Sequence, residues 1–421
     1  MQHMFPGRRF MSMEPWSRHN RIAALAVVTK ISAERASTLV AGKFPRIRLS
    51  GGPFERGHRY GSQAQVQVMA ARAGYEQSFA QAGLRWSEAV VFSERYLEPV
   101  RDSFPWLMTE IEGIADGAGI PFEDIFAMNC RTEILWAAFT DRAGERTRRH
   151  GSECSSFALT PARTSSGHTL VGQNWDWLLH GFESVVLLEV EREDHPNFVT
   201  IVEAGLLAKT TLNSAGLGIA VNTLVSSLDN GQKGVPFHIL IRALADCRTA
   251  FDAVETLSSH YRASSGNFVV GGPGGAILNI ETAPGDARTV RPLVASSGVL
   301  LHTNHFLEEI IGGHDLAGHA MADSFIRLQR MRELVAGRQE PSTIDSLDLA
   351  LKDHVDFPGS ICCHPDPRFA EAERWSTVLS VVMDLEDRTL HLAEGNPCEA
   401  RREPLDFRPF LTNVVEGAAR V

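Results

Sequence analysis

Cysteine is scarce in this chain: six are present among 421 residues, and their spacing is irregular. Secreted domains held together by disulfides use cysteine far more densely. The segment GRRFM (7–11) resembles a twin-arginine export signal, but the apolar stretch after it is short and has no clear cleavage site. We therefore expect free thiols and a cytoplasmic location, without export.

Positive charge and long apolar runs are also lacking. The formal net charge is −10, whereas a nucleic-acid-binding surface needs concentrated lysine and arginine. No apolar run approaches the roughly 18–20 residues of a membrane-spanning helix. The composition, 43% apolar and 22% charged, is that of an ordinary globular protein. Neither nucleic acid nor a membrane is expected as a partner.

The chain divides into three segments by its residue pattern. Residues 1–45 form a weakly structured extension in this interpretation, residues 46–153 are mainly helical, and residues 154–421 contain strands with interposed helices. Apolar residues of the second segment recur at helical spacing, as at Leu107 and Ile111. Helices followed by many strands predict layered α and β structure.

The third segment contains short β-rich stretches separated by Gly, Pro, Asn or Ser. They cover residues 154–160, 169–175, 184–191, 198–204, 217–223, 267–272, 299–304, 376–385 and 389–395. Helical spacing interrupts them at residues 236–247, 322–334 and 343–354. GGPGG (271–275) lacks the lysine of a phosphate-binding loop and is predicted to be a hairpin turn.

Cys154 begins a strand directly after a charged, turn-prone stretch (139–153). A fold tolerates a chain break in such a stretch. Residues 154–177 read as a hairpin that turns near residue 166, so Cys154 is expected opposite roughly Trp177, with Asp176 beside it. The alternative is a surface hairpin in which the aspartate caps a turn.

This pairing matters because a thiol with a pKa of about 8.5 is mostly protonated at neutral pH. If Cys154 were a chain terminus, its own α-amine, with a pKa of about 7.7–8.0, could accept the thiol proton. A nearby carboxylate would then orient that amine. An asparagine or a backbone N–H would have to stabilise the oxyanion of the attacked carbonyl.

Several segments in order resemble the cysteine-type N-terminal-nucleophile (Ntn) hydrolases and acyltransferases related to acyl-coenzyme A:6-aminopenicillanic acid acyltransferase. The resemblance covers about residues 48 to 398. The segments are SGGPFERGHRYG (50–61), EIEGIADGAG (110–119), MNCRTE (128–133), GQNWDW (172–177), LNSAGLGIAVNTL (212–224), LHTNHF (301–306), DHVDFPGSICCHPDP (353–367) and RWSTVLSVVMDL (374–385).

The resemblance implies an α+β, four-layer αββα Ntn-hydrolase sandwich in which residues 46–153 and 154–421 form one domain. It also implies a precursor that cuts itself between Glu153 and Cys154 and leaves an alpha/beta heterodimer. The mature enzyme would cleave or transfer an amide-linked acyl group of a small molecule through an acyl-Cys154 thioester. No cofactor is expected, although acyl-coenzyme A is an option as acyl donor.

The resemblance also implies roles for single residues. Cys154 is the nucleophile, and Asp176 orients its freed amine. Asn304 matches the asparagine that stabilises the oxyanion, Asn222 lines the site, and Arg374 steadies charge near the nucleophile or substrate. Each has a structural alternative: a buried thiol, a turn cap, a bridge between strands, or a salt bridge to a neighbouring glutamate.

Two positions depart from the family pattern. Glu153 stands where glycine often precedes the cysteine, and Gln173 stands where amidases of the bile-salt group carry arginine. Glu153 leaves open a non-catalytic binding protein, and His305, which flanks Asn304, leaves open an unprocessed cysteine hydrolase with this histidine as base. CCHPD (362–366) with His354 invites a zinc site. Adjacent cysteines point in opposite directions on an extended chain, however, and C-x-x-C spacing is missing, so no metal is expected.

Overall fold

A computed structural model describes residues 44–141 and 154–412 of the chain. After a short strand, β1 Arg46–Leu49, the first segment is helical, as the apolar spacing predicts. Leu107, Ile111 and Ile114 are fully buried on one face of their helix. The helices are α1 Pro53–Gln63, α2 Gln65–Gln81, α3 Trp86–Ser93, α4 Leu97–Ser103, α5 Pro105–Ala118, α6 Phe122–Asn129 and α7 Arg131–Asp141.

Glycines allow α1 and α5 to pack with their backbones in contact. A Cβ atom added at Gly57 would lie 2.1 Å from the carbonyl oxygen of Glu110, and one at Gly113 would lie 2.3 Å from that of Phe54. No side chain fits at these distances. Gly61 has the same close contact with α5. Helix packing therefore requires Gly57 and Gly61 of SGGPFERGHRYG and Gly113 of EIEGIADGAG.

The strands form two sheets. The eight-stranded sheet has the order β1-β4-β5-β6-β7-β8-β9-β10, and the six-stranded sheet has the order β11-β2-β3-β12-β13-β14. The strands are β1 Arg46–Leu49, β2 Cys154–Leu159, β3 Leu170–Leu178, β4 Val185–Val190, β5 Phe198–Glu203, β6 Thr210–Asn213, β7 Gly218–Thr223, β8 Gly266–Gly272, β9 Ala276–Thr282, β10 Val290–Val294, β11 Val299–His302, β12 Trp375–Asp384, β13 Thr389–Glu394 and β14 Glu403–Asp406.

The remaining helices lie between the strands. They are α8 Gly181–Ser184, α9 Phe237–Leu244, α10 Ala250–Ser259, α11 Ala317–Ala320, α12 Ser324–Met331, α13 Ile344–Leu351 and α14 Arg408–Leu411. A π-helical turn, Arg332–Ala336, extends α12. The predicted helices at 236–247 and 343–354 are confirmed, each a few residues shorter than its apolar pattern. The helix predicted at 322–334 is confirmed as α12 with its π-helical turn, which ends at Ala336.

The two sheets face each other, with helices on both outer sides. Gln173 of β3 donates to the carbonyl of Val221 of β7, across the space between the sheets. On the outer side of the six-stranded sheet, Asn174 donates to the carbonyl of Leu351 of α13. On the outer side of the other sheet, the hydroxyl of Tyr60 of α1 donates to a carbonyl after β5. The predicted α+β, four-layer αββα arrangement is confirmed.

Buried polar groups of MNCRTE tie the helical layer to the eight-stranded sheet. Arg131 lies 3.2 Å from the carboxylate of Glu203 on β5. Glu133 accepts the backbone N–H of Phe237 at 2.7 Å and the hydroxyl of Ser264 at 2.5 Å. Buried polar groups need such partners because no water replaces them. This segment therefore has a structural role in the fold.

Some elements are absent from the sequence prediction. They are strands β6, β9, β10 and β14, which form by pairing with neighbouring strands, and helix α10, although its buried residues Ala250, Ala253 and Leu257 recur at helical spacing. The GGPGG turn between β8 and β9 is confirmed. Within the residues that the structure describes, no helix has both the length and the apolarity needed to span a membrane.

Candidate active site

The β2–β3 hairpin sets the position of Cys154. Cys154 pairs with Trp175, so Asp176 lies one residue beyond the pairing partner. The sequence predicted Trp177 as the approximate partner, and the register differs from that prediction by two residues. The reason is the turn, where a 3-10 turn at Pro161–Arg163 and a left-handed Gly167 centre the hairpin slightly earlier than expected.

The pleat of these strands separates two groups of side chains. The hydroxyl of Ser156 donates to Oδ1 of Asn222, on β7 of the opposite sheet, at 2.6 Å. Since side chains alternate along a strand, Cys154 points in the same direction, into the space between the sheets. Ser155 and Asp176 point the other way, towards the helical layer of α12 and α13.

The backbone of Cys154 is held by three side chains. Its N–H donates to Oδ1 of Asn304 at 2.8 Å. Its carbonyl accepts Nδ2 of Asn222 at 3.2 Å and Nη1 of Arg327 at 2.7 Å. All of these side chains are fully or almost fully buried. Two of the predicted site residues, Asn222 and Asn304, thus meet at Cys154.

Asn304 is oriented by its own partners. Its Nδ2 donates to the carbonyl of Thr223 at 2.9 Å, and its backbone N–H donates to the hydroxyl of Ser324 at 2.7 Å. The carbonyl can only accept, and the guanidinium of Arg327 near Oδ1 can only donate, so these partners define the amide orientation. Asn304 therefore presents an acceptor to Cys154.

Arg327 joins the two sides of the site. It donates from Nη2 to Oδ1 of Asn304 at 2.9 Å and from Nε to Asp323, the residue directly before α12, at 2.7 Å. Burial disfavours the charged guanidinium, but the carboxylates of Asp323 and Asp176 outweigh this and hold the pKa of Arg327 above its usual range. The side chain is a permanent buried cation.

Asp176 is completely buried and lies in a hydrogen-bonded chain. Its Oδ1 accepts the hydroxyl of Thr377 at 2.6 Å, and the same hydroxyl oxygen accepts the backbone N–H of Cys363 at 2.9 Å. Thr377 on β12 is its partner across the sheet. The loop that contains Cys363 thus positions Thr377, which positions the carboxylate.

His305 lies next to Asn304 in a buried pocket. Its Nδ1 is 2.8 Å from the hydroxyl of Ser324, and its ring stacks on Phe325 with a centroid separation of 4.2 Å. Burial, with the nearby charges of His302 and Arg327, lowers the pKa of His305 to about 4. This imidazole is a weaker base than an ordinary histidine.

Arg374 and Gln173 have structural contacts. Nε of Arg374 donates to the carbonyl of Phe369 at 2.9 Å, which closes the turn before β12. The arginine that contacts Cys154 is Arg327 instead. Gln173 also accepts the backbone N–H of Val221 at 3.1 Å, so it connects the two sheets.

Sequence reasoning missed Arg327 and Thr377. The signal for Arg327 is its position on the apolar stripe of α12, where Ser324, Leu328 and Met331 are the other buried residues. A buried arginine at such a position needs an anionic or carbonyl partner. Glu153, the predicted partner of Cys154 in self-cleavage, lies outside the described residues.

Comparison with known proteins agrees with the resemblance read from the sequence. The family model described as acyl-coenzyme A:6-aminopenicillanic acid acyl-transferase matches residues 162–399. The 40 kDa form of acyl-coenzyme A:6-aminopenicillanic-acid-acyltransferase from Emericella nidulans is 26% identical over 357 residues, which are 83% of this chain and 92% of that protein. The beta-alanyl-dopamine/carcinine hydrolase of Drosophila melanogaster is 27% identical over 336 residues, 75% of this chain and 82% of that protein.

Similar solved structures include penicillin V acylase from Agrobacterium tumefaciens, with 12% identity and a TM-score of 0.41, over 62% of this chain and 88% of that chain. A mutant form of conjugated bile acid hydrolase from Clostridium perfringens has 12% identity and a TM-score of 0.39, over 61% of this chain and 93% of that chain.

Proposed function

Since the chain belongs to the acyl-coenzyme A:6-aminopenicillanic acid acyl-transferase family, we propose that it cleaves or transfers an amide-linked acyl group through a thioester on Cys154. The observation that carries the proposal is the hydrogen bond of 2.8 Å between the backbone nitrogen of Cys154 and Oδ1 of Asn304. The nitrogen of Cys154, which would be the chain terminus after cleavage, thus lies among buried polar side chains that include the Arg327 cation.

Maturation begins at the bond between Glu153 and Cys154. The Sγ atom of Cys154 attacks the carbonyl carbon of Glu153, the C–N bond breaks, and the nitrogen takes a proton. Water then hydrolyses the resulting thioester, which releases the carboxylate of Glu153 and a chain that begins with Cys154. The sequence between 142 and 153 is rich in charged residues, a composition that tolerates a chain break.

The freed α-amine is the general base of the mature enzyme. It takes the thiol proton and later protonates the leaving amine. Asn304 accepts one hydrogen of this amine. Asp176 points away from the thiol, and its carboxylate helps to hold the pKa of Arg327 above its usual range. Arg327 in turn donates to the oxygen of Asn304 that holds the nitrogen of Cys154. We assign Asp176 an orienting role through these two residues, in line with the family resemblance.

Asn222 is the better candidate for stabilising the oxyanion. Its Nδ2 faces Cys154, on the side of the thiol, and donates to the carbonyl of Cys154 at 3.2 Å. Asn304 instead presents its oxygen, Oδ1, to Cys154, and its Nδ2 donates to the carbonyl of Thr223. A donor that faces the thiol stabilises negative charge on a carbonyl oxygen attacked by that thiol. Asn304 therefore holds the amine in this proposal.

The acyl-enzyme passes its acyl group to water or to an amine. One relative is named as an acyltransferase and another as a hydrolase, so both outcomes fit the family. The substrate is a small acyl amide, and acyl-coenzyme A is a candidate donor for the transfer reaction. A completely buried Asp176 and Arg327 indicate a site from which bulk water is largely excluded.

Intact mass spectrometry and N-terminal sequencing of the purified full-length chain test this proposal. The expected result is two fragments, the second beginning with Cys-Ser-Ser-Phe. The Cys154→Ala variant should stay a single chain, and Cys247→Ala, which removes a different buried cysteine, should still be cut. A panel of N-acyl amino acids, N-acyl amines and β-lactams should then yield a Cys154 adduct with the mass of the acyl group.

The rival hypotheses predict other results. If the chain stays uncut and still hydrolyses amides, the general base is His305 and not a freed α-amine. A single chain that gives no acyl adduct with any member of the panel would favour a non-catalytic binding protein and end the proposal.

A further inference from the structure

Four metal-binding side chains meet on the outer side of the six-stranded sheet. They come from two separate parts of the chain: three lie in the loop between α13 and β12, and one lies in the segment after β13. Their ligand atoms all lie within 4.8 Å of one another. The four residues, called the Cys2His2 cluster below, are His354, Cys362, His364 and Cys398.

The distances within the cluster are those of four ligands around one ion. The sulfur atoms of Cys362 and Cys398 are 3.6 Å apart. Nε2 of His364 lies 3.5 Å from the first sulfur and 3.3 Å from the second. Nε2 of His354 lies 3.1 Å from Nε2 of His364.

A tetrahedral zinc ion requires very similar separations. Bonds of about 2.3 Å to sulfur and about 2.0–2.1 Å to nitrogen place two sulfurs about 3.8 Å apart, sulfur and nitrogen about 3.6 Å apart, and two nitrogens about 3.3 Å apart. The four separations given above agree with these values to within about 0.3 Å, and the other two pairs, from His354 to each sulfur, lie within 4.8 Å.

The chemistry of the donors selects the ion. Two thiolates and two imidazoles are the set found in structural zinc sites, whereas magnesium and calcium prefer oxygen ligands. On binding, the two thiols release their protons, and two thiolates neutralise the charge of the ion. Four protein ligands leave no open position for catalysis.

Neighbouring groups support the ligands, as partners beyond the ligands do at known metal sites. Nδ2 of Asn396 lies 3.8 Å from the sulfur of Cys362 and donates to the carbonyl of Cys363 at 2.6 Å. Nδ1 of His364, the nitrogen that faces away from the cluster, lies 4.0 Å from the carboxylate of Glu399.

We propose that the Cys2His2 cluster binds one structural zinc ion. The ion would join the loop after α13 to the segment after β13. The backbone N–H of Cys363, between two of the ligands, donates to Thr377, which holds Asp176. Zinc would therefore stabilise the loop that supports the candidate active site.

This proposal departs from the expectation of no metal. That expectation rested on the missing C-x-x-C spacing and on the opposite directions of Cys362 and Cys363. The structure agrees on the directions, because only Cys362 belongs to the cluster. The fourth ligand, Cys398, comes from a distant segment, so local spacing could not reveal the site.

The experiment measures zinc in the reduced full-length protein after dialysis against a mild chelator. Elemental analysis by mass spectrometry should find about one zinc ion per chain. The Cys154→Ala variant should carry the same amount, so this result is independent of the proposed function. When cobalt is bound to the Cys154→Ala variant in place of zinc, thiolate-to-cobalt charge transfer should give an absorption band. This measurement leaves all four residues of the Cys2His2 cluster unchanged.

Variants then identify the ligands. Cys398→Ser and His354→Ala should each lower the retained zinc at least about tenfold, in the range measured when metal-site residues are altered. Cys247→Ser, which removes a buried cysteine elsewhere, should retain it. Zinc content near zero with no cobalt band would overturn the proposal, whether Cys362 and Cys398 are then found as free thiols or as a disulfide. Full zinc retention in Cys398→Ser would overturn it as well.

Discussion

Arg327 donates a hydrogen bond of 2.9 Å to the same oxygen of Asn304 that accepts the backbone N–H of Cys154. A second nitrogen of the guanidinium donates to the carbonyl of Cys154. One buried cation thus determines the position of the nucleophile's backbone on both sides. Because a guanidinium offers several donors in a fixed plane, lysine cannot reproduce these contacts.

Replacement of Arg327 should therefore abolish most activity. Arg327→Met leaves Asn304 and the carboxylate of Asp323 without their shared donor, and we expect kcat/KM to fall at least about 100-fold, as for loss of one preorganised donor. Self-cleavage, followed by intact mass, should slow as well. Arg330→Met is the matched control, since Arg330 lies on the same helix in ion pairs nearer the surface. Equal activity of the two variants would contradict the assigned role.

The hydroxyl of Thr377 should matter for Asp176. Thr377→Val keeps the shape of the side chain but removes the donor to the carboxylate. A hydrogen bond to a charged group contributes about 1.5–3 kcal/mol, so activity should fall roughly 10- to 100-fold. Thr377→Ser retains the hydroxyl and should keep most of the activity. A large loss in both variants, with intact folding by circular dichroism, would point to the methyl group instead.

His305 should be dispensable as a base. Its pKa of about 4 makes it a poor acceptor for a thiol proton. We expect His305→Gln, which can still contact Ser324, to keep kcat/KM within about tenfold, whereas loss of a general base costs about 10²–10⁴-fold. A loss in that larger range, with self-cleavage unchanged, would favour the histidine mechanism.

Glu133 should make the stability depend on pH. Burial raises its pKa from 4.5 to about 7. Between these values the folded state holds a proton that the unfolded state has lost, so the free energy of unfolding falls as pH rises through this range. The total is on the order of 3 kcal/mol. Denaturant titrations at pH 4.5 and pH 7.5 should show a smaller difference for Glu133→Gln than for the wild type.

The comparison with the Glu133→Gln variant is needed because other buried groups titrate in the same pH range. Burial raises the pKa of Asp229 to about 6, which acts in the same direction, and lowers the pKa of His180 to about 4, which acts in the opposite direction. The change in slope caused by Glu133→Gln isolates one carboxyl. An unchanged slope would show that Glu133 is ionised in the folded protein throughout.

The packing of α1 against α5 should not tolerate a methyl group. Gly113→Ala places a Cβ atom 2.3 Å from the carbonyl oxygen of Phe54, so the helices must separate. We expect a loss of about 1–3 kcal/mol, measured as a lower midpoint of denaturation. Gly318→Ala is the control, because nothing lies within 4 Å of its added Cβ atom. Equal midpoints for the two variants would contradict the close packing.

The amino-acid sequence was sufficient for the order of most elements and for the candidate nucleophile. Helical spacing located the helical first segment, and alternation located β2 and β3, because these patterns arise from local geometry and burial on one face. The predicted hairpin placed Asp176 near Cys154, and its register differs from the observed one by only two residues. Such a prediction is possible because partners in a short hairpin are also close in sequence.

By itself, then, the sequence determined the layered α and β architecture, Cys154 at the start of a strand, and the family resemblance. Only the tertiary structure decided that Arg327, rather than Arg374, contacts Cys154, that Asn304 offers an acceptor, and that Cys398 joins His354, Cys362 and His364. The physical reason is that these relationships depend on how separate elements pack and where side chains point. Residues far apart in the chain leave no periodic pattern when they meet.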